Sequence, residues 1–249
     1  MRVTGVDACR RGWVAVTLEG AGRAAGPSEG TERAGDSAQL PGTTRIWVST
    51  VRARETLAGV LDGAARSEAA VVGIDMPLGL LESGWREADR AARGLLGPRR
   101  SSVFAIPPRA VWAQASYQAA SRLCRELTGQ GLSIQTWGLR AKLLEADRYR
   151  GSGRHPLYEV HPELAFSAMA GAPLAHSKHT AAGRDLRREL LTRAGIVVPA
   201  DSARLAPVTD VMDAAAVAWS AWRIADGRAA VLPARPQRDA QGREIAIRY

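Results

Sequence analysis

Two cysteines, Cys9 and Cys124, are all that the 249 residues contain. That excludes a disulfide framework and a zinc knuckle, and it predicts two inert thiols in a reducing cytoplasm. No apolar run is long enough to cross a bilayer, so no membrane association is expected. The first residues, M-R-V-T-G-V-D, begin directly in a strand-like pattern, without the apolar stretch or cleavage site of a signal peptide. Lysine is nearly absent: Lys142 and Lys178 are the only two, and arginine carries almost all of the positive charge. There is no G-x-x-x-x-G-K-[ST], no H-E-x-x-H and no G-x-S-x-G. No internal repeat is present.

The chain does have apolar content for one sizeable core, at 46% of residues. Its formal net charge is +9. Such a balance suits a polyanion, because basic side chains release counterions from phosphates. An excess of Arg, Ala and Gly is also what a GC-rich genome produces, so the charge points to nucleic acid without establishing it.

Hydrophobic patterning predicts a single mixed α/β domain over residues 1–249. Residues 3–7 and 13–18 read as a hairpin, 45–50 as a third strand and 55–64 as a helix. The Gly- and Ala-rich stretch 19–37 reads as a loose loop. A-A-V-V-G-I-D-M-P (69–77) is a nearly continuous apolar run and predicts a central strand buried on both faces. Residues 82–150 read as a mostly helical insertion, with helices over 116–127 and 137–150. A strand then leads into a helix at Pro162, which suits the first helical turn. Helices follow over 183–194 and 210–226, and E-I-A-I-R-Y predicts a short edge strand.

Three acids stand where chemistry is expected. Asp7 closes the first strand, Asp75 closes the buried strand, and Asp213 lies early in the late helix with Asp210 three residues before it. Taken singly, each has a structural explanation as a turn former or, for Asp210, an N-cap. Taken together they predict a cluster whose repulsion calls for a hard cation, Mg2+ or Mn2+, and a two-metal phosphoryl-transfer site. In Y-E-V-H-P-E-L (158–164), Glu159 and His161 alternate on one strand face, and Glu163 starts a helix. His161 reads as a general base, a metal neighbour or a satisfied core histidine. Arg99, Arg100, Ser101 and Ser102 follow Gly-Pro in a loop-like segment suited to phosphate oxygens, and Lys178 in S-K-H-T repeats that chemistry.

Six stretches in order carry a resemblance. They are G-V-D-A-C-R-R-G-W-V, G-I-D-M-P-L-G-L, R-E-A-D-R-A-A-R-G-L-L-G-P-R-R-S-S-V-F, G-L-S-I-Q-T-W, Y-E-V-H-P-E-L-A-F and S-K-H-T-A-A-G-R. They resemble the DUF 429 family, bacterial and archaeal proteins proposed to be nucleases of ribonuclease-H-like fold. The resemblance implies a five-stranded mixed sheet with its first three strands antiparallel. It also implies, as in the RuvC resolvases, that Asp7, Asp75 and Asp213 bind two divalent ions and that Glu159 is an additional catalytic acid. D-A-A-A-V-A-W at 213–219 is similar to the D-A-L-A-x-A run of the resolvase helix. The family's G-V-D-G-C-R-G-G-W has Ala8 and Arg11 here in place of two glycines, which predicts a looser hairpin. Its S-K-K-T has His179 in place of a lysine.

The expectation is therefore a metal-dependent nuclease acting on DNA or RNA. Asp7, Asp75, Asp213 and Glu159 carry catalysis, while Arg99, Arg100, Ser101, Lys178 and His161 bind substrate. Two rivals remain. An ATP-using phosphotransferase would share the sheet and its first hairpin, yet it normally needs two such domains and a second Gly-rich loop. A non-catalytic nucleic-acid-binding or regulatory module would keep the basic face alone.

Overall fold

The computed structural model describes residues 1–20, 46–151 and 156–249. Most of the loop expected over 19–37 lies outside the described residues. The strands are β1 (Arg2–Cys9), β2 (Gly12–Gly20), β3 (Ile46–Arg54), β4 (Val71–Ile74), β5 (Leu157–Val160), β6 (Val231–Arg238) and β7 (Glu244–Arg248). They form a seven-stranded sheet in the order β3-β2-β1-β4-β5-β7-β6. β1, β2 and β3 pair antiparallel, while β1, β4, β5 and β7 run parallel. The first three strands are thus antiparallel, as the resemblance implied, within a mixed sheet.

The sheet is two strands wider than expected, because the tail adds an antiparallel pair, β6 and β7. β7 is not an edge strand. It is inserted between β5 and β6, and Ile245, Ala246 and Ile247 are buried there. Three adjacent apolar residues cannot alternate between core and water, so this strand needs cover on both faces.

Between β4 and β5 the chain is helical and contributes no strand. This stretch holds α2 (Glu87–Leu96), a 3-10 turn at Gly97–Ser102, and α3 (Arg109–Trp112). It continues through α4 (Tyr117–Thr128), α5 (Ile134–Gly138) and α6 (Arg140–Gly151). α1 (Leu57–Arg66) precedes β4. After β5 come α7 (Pro162–Ala170), α8 (Ala181–Arg193) and α9 (Val208–Ala225). Caps set several starts: Thr56, Ser116, Ser133 and Thr180 each accept a first-turn amide hydrogen. Asp210 is not the N-cap of α9; Pro207 holds that position.

Alternation along the strands divides the core. Val3, Val14 and Val16 face α9, together with Phe166 of α7 and Leu190 of α8. Val6, Ala15, Val72 and Ile74 face α1 and α6 on the other side. The β1–β2 hairpin closes across Arg10 and Arg11, with Cys9 opposite Gly12, so it is tight despite the two missing glycines. Gly12 carries the positive φ, at 138°, and among the described residues Glu68 is the only non-glycine with one. No helix among the described residues is long and apolar enough to cross a membrane.

Candidate active site

Gly5 of β1 lies opposite Gly73 of β4. A Cβ at Gly5 would stand 2.1 Å from the Ala218 nitrogen and 2.2 Å from the Ala214 oxygen of α9. One at Gly73 would meet a Val217 methyl at 3.0 Å. The facing glycines make a flat patch on the sheet, and α9 lies on it through buried Ala214, Val217 and Ala218. Residues two further along each strand share the glycines' face. Those residues are Asp7 and Asp75. Asp213, one helical turn before Val217, joins them at the C-terminal ends of the parallel strands. The repeated Gly-x-Asp of G-V-D and G-I-D encodes this meeting. Apolar runs single out the acids but do not reveal what brings the helix to them.

Asp7 and Asp213 are 6% and 2% exposed, and Asp75 keeps part of its surface open. Burial, then the neighbouring charges of Asp75 and Asp213, push the Asp7 carboxyl well above its ordinary range. Burial also raises Asp75, to about 6, against the opposing influence of His161. Asp7 and Asp75 stand at the ends of neighbouring parallel strands, where the Asp75 charge bears on Asp7. Asp213 is raised by burial and restrained by Lys178, whose Nζ donates to Asp213 Oδ2 at 2.5 Å. Burial disfavours the Lys178 charge, but Asp213, Asp7 and Asp75 more than offset this and hold the ammonium protonated. Asp210 is part-exposed on the preceding turn and accepts from the Thr209 hydroxyl at 3.2 Å.

These acids floor a cavity of about 510 Å³ whose lining also includes Arg99, Ser101, His161 and His179. The substrate-binding residues expected there are therefore brought together, with one exception: Arg100 does not line the cavity. Its neighbours lie on a 3-10 turn rather than an open loop. His161 is held by the Ser102 carbonyl oxygen, 3.1 Å from Nε2. A carbonyl only accepts, so Nε2 carries the hydrogen of this bond. Nδ1 is buried without a hydrogen-bond partner.

Glu159 lines the same cavity, but its carboxylate is engaged away from the three aspartates. Sheet register pairs it with Ile74, the residue before Asp75, so its side chain leaves the opposite face of the sheet. There both its oxygens accept from Arg86 Nη2, at 2.7 and 2.6 Å, and Oε2 also accepts from the Leu78 amide at 2.7 Å. Asp89 is 3.6 Å from the same guanidinium and accepts from the Ile106 amide. Glu163 is likewise engaged, accepting from Arg99 Nε at 3.0 Å and Arg187 Nη2 at 2.6 Å.

Arg86 and Arg187 are fully enclosed, and both escape a reading by apolar runs. Arg187 had a signal, for it shares the buried stripe of α8 with Gly183, Leu190 and Leu191. An arginine on an apolar helical stripe has to find a buried anion.

The donor set of Asp7, Asp75 and Asp213 is all oxygen, mutually repelling and partly desolvated, which fits a hard divalent ion. The fit is to one ion at the Asp7–Asp75 pair. Among the described residues no three His, Cys, Asp or Glu side chains are gathered closely enough to surround an ion. Asp213 is drawn to Lys178 instead.

Fold and site together define an α/β protein with an acid-floored cavity at its parallel strand ends. Residues 5–238 match the family described as a protein of unknown function, DUF429, and the chain belongs to that family. No curated protein matches it. Among solved structures it is similar to the Thermus thermophilus RuvC structure, at 14% identity and a TM-score of 0.40, over 92% of this chain and 98% of that one.

Proposed function

We propose that the protein is a divalent-metal-dependent phosphodiesterase that cleaves nucleic acid. The observation that carries this reading is the meeting of Asp7, Asp75 and Asp213 in one cavity whose rim is basic and hydroxylated. Burial, and then the neighbouring carboxylates, raise Asp7 and Asp75, and a cation bound there would favour their charged forms.

Asp7 and Asp75 would hold Mg2+ or Mn2+, which supplies Lewis-acid polarisation of a phosphoryl oxygen and a more acidic bound water. Arg99 and Ser101 bind the phosphate backbone, Arg99 being oriented from behind by Glu163. Lys178 holds positive charge beside Asp213 where the phosphate enters. His161, held through Nε2–H, in its neutral form presents Nδ1 as a proton acceptor. Glu159 orders the Met76–Leu80 segment through the Leu78 amide and takes no direct part in cleavage. The two-ion mechanism implied by the family resemblance would require Asp213 to exchange Lys178 for a second ion.

The test is a cleavage screen with Mg2+ and with Mn2+ on labelled single- and double-stranded DNA and RNA. Wild type and Asp7→Asn are compared, with circular dichroism as the control for folding. Metal-dependent product in the wild type, abolished in the variant, is expected. One observation favours a second reading, a binding module without catalysis. Lys178 already neutralises part of the acid cluster without a metal. Nucleic-acid binding that is unchanged in Asp7→Asn, with no cleavage in either protein, would select that reading.

A further inference from the structure

The S-K-H-T-A-A-G stretch is built to place one side chain. The Ser177 carbonyl accepts from the Thr180 amide at 3.0 Å and from its hydroxyl at 2.9 Å. Thr180 in turn caps α8 through the Gly183 amide, at 3.0 Å. A Cβ at Gly183 would stand 1.9 Å from the Ser177 oxygen, so only glycine lets the loop lie this close to the helix. The loop is clamped on both sides of Lys178. Its ammonium reaches across to Asp213 Oδ2 at 2.5 Å, facing Asp7 and Asp75. A lysine that served only to meet substrate would need no such clamp and would be free to point at solvent.

We infer that Lys178 is the second cation of this site, so that the protein binds a single divalent ion, between Asp7 and Asp75, and keeps an ammonium on Asp213. The inference rests on the metal-dependent reading above and sharpens it. Charge balance supports it: three carboxylates and one ammonium carry minus two, which one divalent ion cancels. Two ions together with the lysine would leave the cluster strongly positive on balance, unless Asp210 or substrate phosphate entered. Asp210 is turned to Thr209 and does not line the cavity. Geometry agrees, since Asp7 and Asp75 follow neighbouring parallel strands into the cavity while Asp213 is engaged by Lys178. An ammonium supplies fixed charge to an oxyanion but cannot acidify a bound water, so the two cation positions have different work to do.

The experiment is Mn2+ titration of the full chain by calorimetry, with electron paramagnetic resonance to separate isolated from spin-coupled ions. Wild type, Lys178→Met, Lys178→Arg and Asp75→Asn are compared, with thermal unfolding as the control for folding. One uncoupled ion is expected in the wild type and in Lys178→Arg, two in Lys178→Met, and none in Asp75→Asn. Two coupled ions in the wild type would overturn the inference and leave the phosphodiesterase reading standing. One ion in both wild type and a folded Lys178→Met would also overturn it, because the lysine would then exclude nothing. No ion in any variant, with or without added oligonucleotide, would overturn both.

Discussion

Two groups of buried carboxylates lie within one helical turn or strand width of each other, and they are treated in opposite ways. Glu159, Asp89 and Glu163 are each within reach of an enclosed arginine, Arg86 or Arg187. Asp7, Asp75 and Asp213 share one lysine among three side chains. Buried charge that is paired holds elements together: Arg86 and Glu159 tie α2 to β5, and Arg187 and Glu163 tie α8 to α7. Buried charge left short of partners is a store of repulsion that a ligand can relieve. The contrast separates framework from chemistry around one cavity.

The strongest way to break this comparison is to exchange the two groups' fates. Arg86→Met leaves Glu159 and Asp89 enclosed without their cation, and a loss of about 3–5 kcal/mol in urea unfolding is expected. Asp75→Asn removes a repelling charge, and stability is expected to hold or rise by about 1 kcal/mol in the absence of metal. Equal losses in the two variants would remove the distinction. Gly5→Ala tests how the acids are brought together. Its Cβ would collide with backbone atoms of α9, which cannot rotate away as a side chain can. A cost of about 3 kcal/mol is expected, with weakened Mn2+ binding in whatever fraction remains folded.

pH sharpens the comparison next. Asp75 titrates at about 6 in the folded protein, above its ordinary value of 3.8. The native state therefore binds the proton more tightly than the unfolded chain does. The stabilisation is complete below about pH 4 and is lost as pH rises through about 6, by roughly 1 kcal/mol once the partial exposure of Asp75 is allowed for. Saturating Mn2+ should reverse that loss, since metal and proton compete for the carboxylate, and its affinity should rise over the same interval. Thermal unfolding from pH 4 to 7.5, with and without Mn2+, reads both effects, and Asp75→Asn should flatten the metal-free curve. The smallest effect is expected at Arg99→Ala. Glu163 keeps Arg187, so stability should change by less than about 1 kcal/mol, while nucleic-acid affinity falls and its salt dependence weakens by roughly one phosphate contact.

Asp7 and Asp75 were legible because each ends an apolar run, where a carboxylate is costly without a purpose, and Asp213 because it stands three residues after Asp210 on one helix face. The antiparallel start of the sheet and the late helices were legible from periodicity. Glu159 illustrates the limit. Its spacing from His161 suggested one shared face, but lateral register with Ile74 decides which face, and register is set by the neighbouring strand. β6 was missed, and β7 was expected at an edge, for a similar reason: their places are set by pairing with each other and with β5.

The sequence by itself determined the core elements, the family and the identity of the three aspartates, since these follow from residue type and short-range period. Tertiary structure alone decided which carboxylates are paired. Arg86 lies 73 residues from Glu159 in the chain, and Lys178 lies 35 from Asp213. Electrostatic energy depends on distance through space, and nothing in local spacing carries that information.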